Sequence, residues 1–408
     1  MSDEKTVHVL EKVLDRSLEI GEAAVLLECT RRTVYRKLKG LREDGPRSVV
    51  HGNRGRLSPR KISDSLRDRI LTLAKGELAD VNDTQLVELL KEREGIVIGR
   101  ETLRAILRTD GIKPKRKHKH SQHRDRRERK PTLGEMLQVD ASPHDWLEGR
   151  GPPLALLGAI DDATNRVWLL FREAETTEGY LSLLRGVVTK YGAPLTLYSD
   201  RHMIFTSPKE ATIEQQLQGV KPLTQFGRAM DELGTHITNA RSPQAKGRIE
   251  RLWNTLQDRL VVEMRLAGVS TLDEANRFLV KYVVKYNRQF MVKPTVEASS
   301  FRSLPEDVDL DAILSVREHR TVAHDSTVKV HGRVISIPQA QSTVSLIGKK
   351  VDICFVPDGS ILVLFKGERA VRIGKGGARE WKKPERLYPL KRTHLSLVRK
   401  AGQAENVT

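Results

Sequence analysis

The run Ser242-Pro-Gln-Ala-Lys-Gly-Arg-Ile-Glu250, continuing as Arg251-Leu-Trp-Asn-Thr-Leu-Gln-Asp-Arg-Leu260, leaves this chain little choice of local structure. Ile249, Leu252, Trp253, Leu256 and Leu260 recur at helical spacing, which predicts an amphipathic helix with one face in a core and Ser242 able to cap its start. At about 100° per residue, Glu250 falls on the rim of that buried face, with Lys246 and Gln257 on the same side. An acid there can reach a cleft while its helix stays anchored. Taken alone, it is more simply read as a solvated charge.

Two upstream segments bear on that choice. Gly134-Glu-Met-Leu-Gln-Val-Asp140 and Pro194-Leu-Thr-Leu-Tyr-Ser-Asp200 are short apolar runs ending in an acid. Each reads as a strand that delivers its carboxylate at or near its end. Functional groups of open α/β sheets gather where strands end, so Asp140, Asp200 and Glu250 can converge. Three carboxylates packed together repel one another and need cations.

The pattern resembles the catalytic core of DDE transposases and retroviral integrases. The Ser-Pro-Gln-Ala-Lys-Gly-Arg-Ile-Glu-Arg-Leu-Trp run is similar to the bacterial insertion-sequence branch, including the ISNCY group, and the match is strongest over Leu133 to Pro294. The resemblance implies a ribonuclease-H-like α/β core, with the family's first Asp on Asp140, its second on Asp200 and its Glu on Glu250. It also implies two Mg²⁺ (or Mn²⁺) ions held by these three residues. Two such ions about 3.5–4 Å apart serve an in-line phosphoryl displacement, in which water first releases a DNA 3′-hydroxyl and that hydroxyl then attacks target DNA. One departure is the interval from Asp200 to Glu250, which exceeds the family's usual spacing and holds an extra polar stretch, Thr206 to Arg228. Surface loops tolerate such insertions cheaply.

That longer interval admits a rival. Glu232, beside Asp231, lies nearer the usual spacing, in a short helix-like segment before the strand Thr235 to Arg241. The family places its Glu on the helix after that strand, which favours Glu250. Asp161 and Asp162 sit where a turn joins two apolar runs, and turn chemistry explains them. Asp145 has left its strand and reads as solvated.

The charge balance suits a nucleic-acid substrate. The 408 residues carry 71 Lys and Arg against 53 Asp and Glu, a net charge of +18. Ten basic and two acidic residues fall between Lys113 and Lys130, a clustering that suits phosphate contact and counterion release beyond a linker's needs. His118, His120 and His123 in that stretch lack the Cys or second His pair of a metal tract. Cys29 and Cys354 are the two cysteines, which argues against a disulfide framework. The absence of a long apolar run or a signal-like start predicts no membrane association and a cytoplasmic, bacterial, nucleoid-associated protein.

Two helical units are expected ahead of the core. In the first, Ile20 to Leu27 and Arg31 to Leu41 read as a helix-turn-helix with Val34, Leu38 and Leu41 inward and Arg31, Arg32, Thr33, Tyr35 and Arg36 outward, toward phosphates and base edges. The second, from Leu66 to Ile112, has a middle helix capped by Asp83 and a last helix carrying Arg100, Arg104 and Arg108. After Pro294, the runs Thr327 to Ile337, Val351 to Val356 and Ser360 to Phe365, joined by Gly-containing turns, predict a small C-terminal β-barrel.

The whole reads as a multidomain α+β chain: a helix-turn-helix domain over 1–45, a linker over 46–62, a second helical DNA-binding domain over 63–112, a basic linker over 113–132, the catalytic core over 133–298, a linker over 299–322, the barrel over 323–374 and a basic tail over 375–408. Candidate DNA contacts are Arg31, Arg32, Thr33, Tyr35, Arg36, Arg100, Arg104, Lys115, Arg116, Lys117, Arg126, Arg127 and Lys246. The expected activity is cleavage and joining of double-stranded DNA at the element's terminal repeats, by a homo-oligomer assembled on DNA. A non-catalytic regulator and a nuclease without joining are the alternatives. The acid trio argues against the first, and the tandem N-terminal units argue against the second.

Overall fold

The computed structural model describes residues 3–50, 62–115, 128–207, 213–217, 222–239, 247–338, 341–342, 344–356 and 358–374. The chain splits into two compact units, one formed by Met1–Asp80 with Leu86–Lys113, the other by Val81–Gln85 with Pro114–Thr408. No helix among the described residues is long and apolar enough to cross a membrane. Both cysteines are free.

The first unit begins with α1 (Asp3–Leu14), α2 (Ile20–Leu26) and α3 (Arg31–Asp44), packed around Leu10, Ala23, Val34, Leu38 and Leu41. Glu28 takes a left-handed φ of 51° between α2 and α3, and the Thr30 side chain caps α3 by accepting from Thr33 N–H. Next come α4 (Asp64–Lys75), α5 (Asp83–Glu94) and α6 (Arg100–Thr109), with Ile70, Leu90, Leu103 and Leu107 buried. The cap of α5 is Asn82, whose Oδ1 accepts from Gln85 N–H at 2.9 Å; the expected cap, Asp83, is the first helical residue instead.

The second unit is built on a five-stranded sheet, order β3-β2-β1-β4-β5. Its strands are β1 (Met136–His144), β2 (Leu154–Asp161), β3 (Val167–Arg172), β4 (Thr196–Ser199) and β5 (His236–Asn239). β1, β2 and β3 pair antiparallel, and β4 joins β1 and β5 in parallel. Between the strands lie α7 (Thr177–Tyr191), α8 (Ile213–Leu217) and α9 (Gln225–Glu232), and after β5 come α10 (Gly247–Leu266) and α11 (Leu272–Phe290). Every residue of β2 is buried, as a strand covered on both faces requires. Its Ala155 and Leu157 pack with Leu137, Tyr180, Leu184 and Phe226. Its Leu154, Leu156 and Ile160 pack on the other face with Trp146, Leu252, Trp253 and Leu279.

α10 lies along β1 on that second face. Ile249 N–H donates to Gln138 Oε1 at 3.3 Å, Trp253 Nε1–H to Asp140 Oδ2 at 2.9 Å, and Gln257 Nε2–H to Ser142 Oγ at 3.1 Å. The repeat is geometric: four helical residues rise about 6 Å, close to the roughly 6.7 Å of two strand residues. α10 is described from Gly247, and Ser242 lies outside the described residues.

The C-terminal part differs from the expected barrel. Residues 299–322, expected as a linker, carry α12 (Leu310–Ile313) and β6 (Val316–Thr321). β6 is largely polar and charged, so it lacks the alternation by which strands are recognised. β7 (Thr327–Val330) and β8 (Arg333–Ser336) form a hairpin through His331 and Gly332, both at positive φ. β9 (Lys350–Phe355), β10 (Ile361–Phe365) and β11 (Glu368–Ile373) complete a four-stranded sheet, order β11-β10-β9-β6. Hairpin and sheet share one core through Val328, Ile335, Ile353 and Val363, yet no pairing among the described residues closes them into a barrel.

A single glycine admits the Trp253 ring. Gly158 stands opposite Asp140 on β2, and a Cβ there would lie 2.6 Å from Trp253 Cη2. Gly158→Ala is expected to destabilise the protein by about 1–3 kcal/mol, measured by urea unfolding.

Candidate active site

β1 runs past Asp140, which is mid-strand, where its apolar run predicts it at or near the strand's end. The reason lies in its two neighbours. Pairing with β2 continues to His144, whereas pairing with β4 stops at Gln138 opposite Tyr198. Two residues on in that parallel register, Asp140 comes level with Asp200, which follows the last residue of β4. Adjacent strands lie about 4.8 Å apart, so the two carboxylates emerge side by side where the parallel pairing ends. Both residues are half-buried. The Trp253 indole orients Asp140, and His202 N–H donates to Asp200 Oδ1 at 2.9 Å.

Glu250 is exposed, in the first turn of α10, three residues before Trp253. Seven residues separate it from Gln257, so the two share an azimuth to within about 20°. Gln257 faces β1 at Ser142. Glu250 therefore leaves α10 on the side turned to β1. Among the described residues no three His, Cys, Asp or Glu side chains meet as a metal-holding group. Asp140, on β1, and Asp200, just past β4, offer hard oxygen donors, chemistry that suits Mg²⁺ or Mn²⁺.

Glu175 is a neighbour that the sequence did not signal. It precedes Thr176, the N-cap of α7, and reads there as an ordinary helix-flanking acid. Tyr180 donates to its Oε1 at 2.8 Å. Burial pushes the Glu175 carboxyl up, opposed by the Tyr180 hydrogen bond and by His202, and reinforced by Asp140 and Asp200. Burial likewise raises the Tyr180 phenol, with Glu175 adding to it.

The remaining acids have other partners. Arg317 forks onto both Glu232 oxygens at 2.8 and 2.7 Å, and Arg228 adds a third bond at 3.0 Å, so the rival acid anchors β6 to α9. Asp161 accepts from Thr164 N–H and Oγ1–H, a turn arrangement as expected, and also from Gly134 N–H. Asp162 departs from the turn reading: it is fully buried and binds residues of three other segments. Asp145 is exposed.

Of the expected DNA contacts, Arg31, Arg32, Tyr35, Arg36, Arg100 and Arg104 are exposed. Thr33 is half-buried and shares a hydrogen bond with Thr30. Arg100 and Arg104 both pair with Glu101. Lys115 pairs with Asp258 at 3.0 Å, so it serves the fold instead of standing ready for phosphate. At the linker's other end, Arg129 donates to Ala163 O and Asn165 Oδ1. Arg116, Lys117, Arg126, Arg127 and Lys246, like His118, His120 and His123, lie outside the described residues.

No family model matches the chain. It is 36% identical over 367 residues to the putative transposase y4bF of Sinorhizobium fredii, covering 90% of this chain and 79% of that protein. The chain belongs to the transposases. It is also 30% identical over 402 residues to the transposase for insertion sequence IS1202 of Streptococcus pneumoniae, covering 90% and 83% of the two chains. Among solved structures, the HTLV-2 integrase catalytic core domain in complex with magnesium aligns over 38% of the transposase and 86% of that chain, at 14% identity and a TM-score of 0.27. A chain of the simian T-cell lymphotropic virus intasome in complex with PP2A regulatory subunit B56 gamma aligns over 74% and 99%, at 15% identity and a TM-score of 0.33.

Trp253→Phe removes the indole donor while keeping an aromatic ring in the core. We expect the transposase to remain folded by circular dichroism, with its transposition activity lowered roughly ten- to hundredfold, because losing a hydrogen bond to a charged group costs about 1.5–3 kcal/mol.

Proposed function

We propose that this transposase binds the terminal repeats of its element and carries out metal-dependent cleavage and joining of DNA strands at a ribonuclease-H-like centre formed by Asp140, Asp200 and Glu250. The observation that carries this reading is the parallel register bringing Asp140 level with Asp200, beside the first turn of α10. Asp140 would hold both cations, and Asp200 and Glu250 one each. Two Mg²⁺ or Mn²⁺ ions bound there would activate the attacking oxygen and stabilise the leaving one.

The chain's own part is orientation. Trp253 fixes one oxygen of Asp140, and the turn at His202 fixes one of Asp200. Held carboxylates cost less reorganisation when charge develops at phosphorus. No protein nucleophile is required, since water and then a DNA 3′-hydroxyl attack in turn.

In this reading, α3 presents Arg31, Arg32, Tyr35 and Arg36 to DNA in helix-turn-helix fashion, and α6 presents Arg100 and Arg104. The basic linker tracks phosphates through Arg116, Lys117, Arg126 and Arg127, with Lys246 as a further DNA contact. The active form is a homo-oligomer on DNA, because two ends must be cut and joined together.

Asp140→Asn, Asp200→Asn and Glu250→Gln are each expected to abolish cleavage and joining of labelled element ends, with end binding nearly intact in gel shifts. Each removes a metal-binding charge at almost constant size. Substantial activity in Glu250→Gln would sink the assignment of the third acid, and cleavage without joining of a supplied 3′-hydroxyl end would make the protein a nuclease.

Neutralising Arg116, Lys117, Arg126 and Arg127 together should weaken binding to every duplex and flatten the salt dependence by about 0.9 per lost phosphate contact. Changing Arg31, Arg32 and Arg36 to Ala should instead erode discrimination between true ends and random duplex, at about 1–3 kcal/mol per lost bidentate base contact. Titrating both variants against salt separates affinity from specificity. An unchanged slope in the first variant reduces the linker to a tether.

A further inference from the structure

Asp162 is buried more completely than a turn residue needs to be. Its relative exposure is 0%, and three groups donate to its carboxylate: Gln138 Nε2 at 3.0 Å and Arg248 Nε at 2.7 Å to Oδ1, and Lys130 N–H at 2.9 Å to Oδ2. The Arg248 side chain is itself only 11% exposed. Gln138 is two-sided, since its Oε1 accepts from Ile249 N–H. Asp162, Gln138, Ile249 and Arg248 thus close a ring of three hydrogen bonds and one peptide link that runs through the two residues preceding Glu250. Gln138 also lies two residues before Asp140, on the strand of the first acid.

Burying a carboxylate and a guanidinium is costly unless both are paired and their hydrogen-bonding groups are met. A ring spent only on the turn between β2 and β3 would not need to reach α10. The first turn of a helix also has amides without partners inside the helix, so it is the part most prone to open.

We infer that Asp162 is a positioning residue: through Arg248 and Gln138 it holds the first turn of α10 against β1, and so sets the reach of Glu250 toward Asp140 and Asp200. The inference rests on the assignment of those three acids. Trp253 and Gln257 hold α10 to β1 from Asp140 onward, and the ring fixes the turn before them, where Glu250 stands.

The test uses the full chain. Arg248→Lys keeps the charge and loses the guanidinium geometry, Gln138→Met keeps the length and loses both bonds, and Asp162→Asn removes the central charge. Cleavage of labelled end duplex is followed against Mg²⁺ concentration, with hydrogen–deuterium exchange of residues 247–253 in metal-free protein, end binding and melting temperature alongside. Arg248→Lys and Gln138→Met are each expected to raise the Mg²⁺ needed for half-maximal cleavage about tenfold or more, as losing an outer partner of a metal ligand does. Exchange at 247–253 should quicken while end binding holds. Should Asp162→Asn fail to fold, the other two still decide. Parent-like Mg²⁺ dependence with parent-like exchange in both overturns the inference, and so does an equal loss at every Mg²⁺ concentration with a lowered melting temperature. Full activity in Glu250→Gln would show instead that the acid assignment had failed, and the exchange result stands apart from both.

Discussion

The hydrogen-bonded seam between α10 and β1 is the contact on which the second unit depends. Without it, Asp140 would project from a strand with nothing to orient it, and α10 would touch the sheet only through non-directional apolar packing. Three rungs convert that packing into a register: Gln138 with Ile249, Asp140 with Trp253, and Ser142 with Gln257. Apolar burial alone tolerates sliding, because hydrophobic contact has no preferred direction. Polar contacts in a half-dry seam do not, since a slip of one residue leaves several groups unpaired at once.

The unit sorts its acids by their partners. Glu232 is held by two guanidinium groups and fastens the C-terminal sheet to α9, where Gln225 also bonds both the N–H and the C=O of Arg317. Asp311 takes Arg185 and Arg372, tying α12 to α7 and to β11. Asp140 and Asp200 instead have Glu175 as an acidic neighbour, and burial of Glu175 already disfavours its charge. Carboxylates matched by arginines serve the architecture.

Local pattern was a good guide wherever one face of an element decides its fate. The stripe Ile249, Leu252, Trp253, Leu256 and Leu260 is buried, and Val34, Leu38 and Leu41 lie inward on α3. The pattern failed where context decides. β6 is polar and charged, and it is a strand because β9 pairs with it along its whole length. The closed barrel expected from apolar runs and turn glycines is an open four-stranded sheet with a hairpin over it, because alternation specifies a buried face and not which edges meet.

The sequence by itself determined the helical unit around Val34, the apolar strands, the α10 stripe and three candidate acids whose order, though not their spacing, follows the transposase pattern. Membership of that family then followed from relatives aligned along most of their length. Tertiary structure decided which acids share a neighbourhood. The level placement of Asp140 and Asp200 comes from a parallel register between strands far apart in the chain, and nothing local in either segment encodes it. Asp162 makes the same point most sharply. Its sequence context is a turn, but its carboxylate joins Lys130, Gln138 and Arg248, because folding brings three distant segments to one dry point where a buried charge has to be matched.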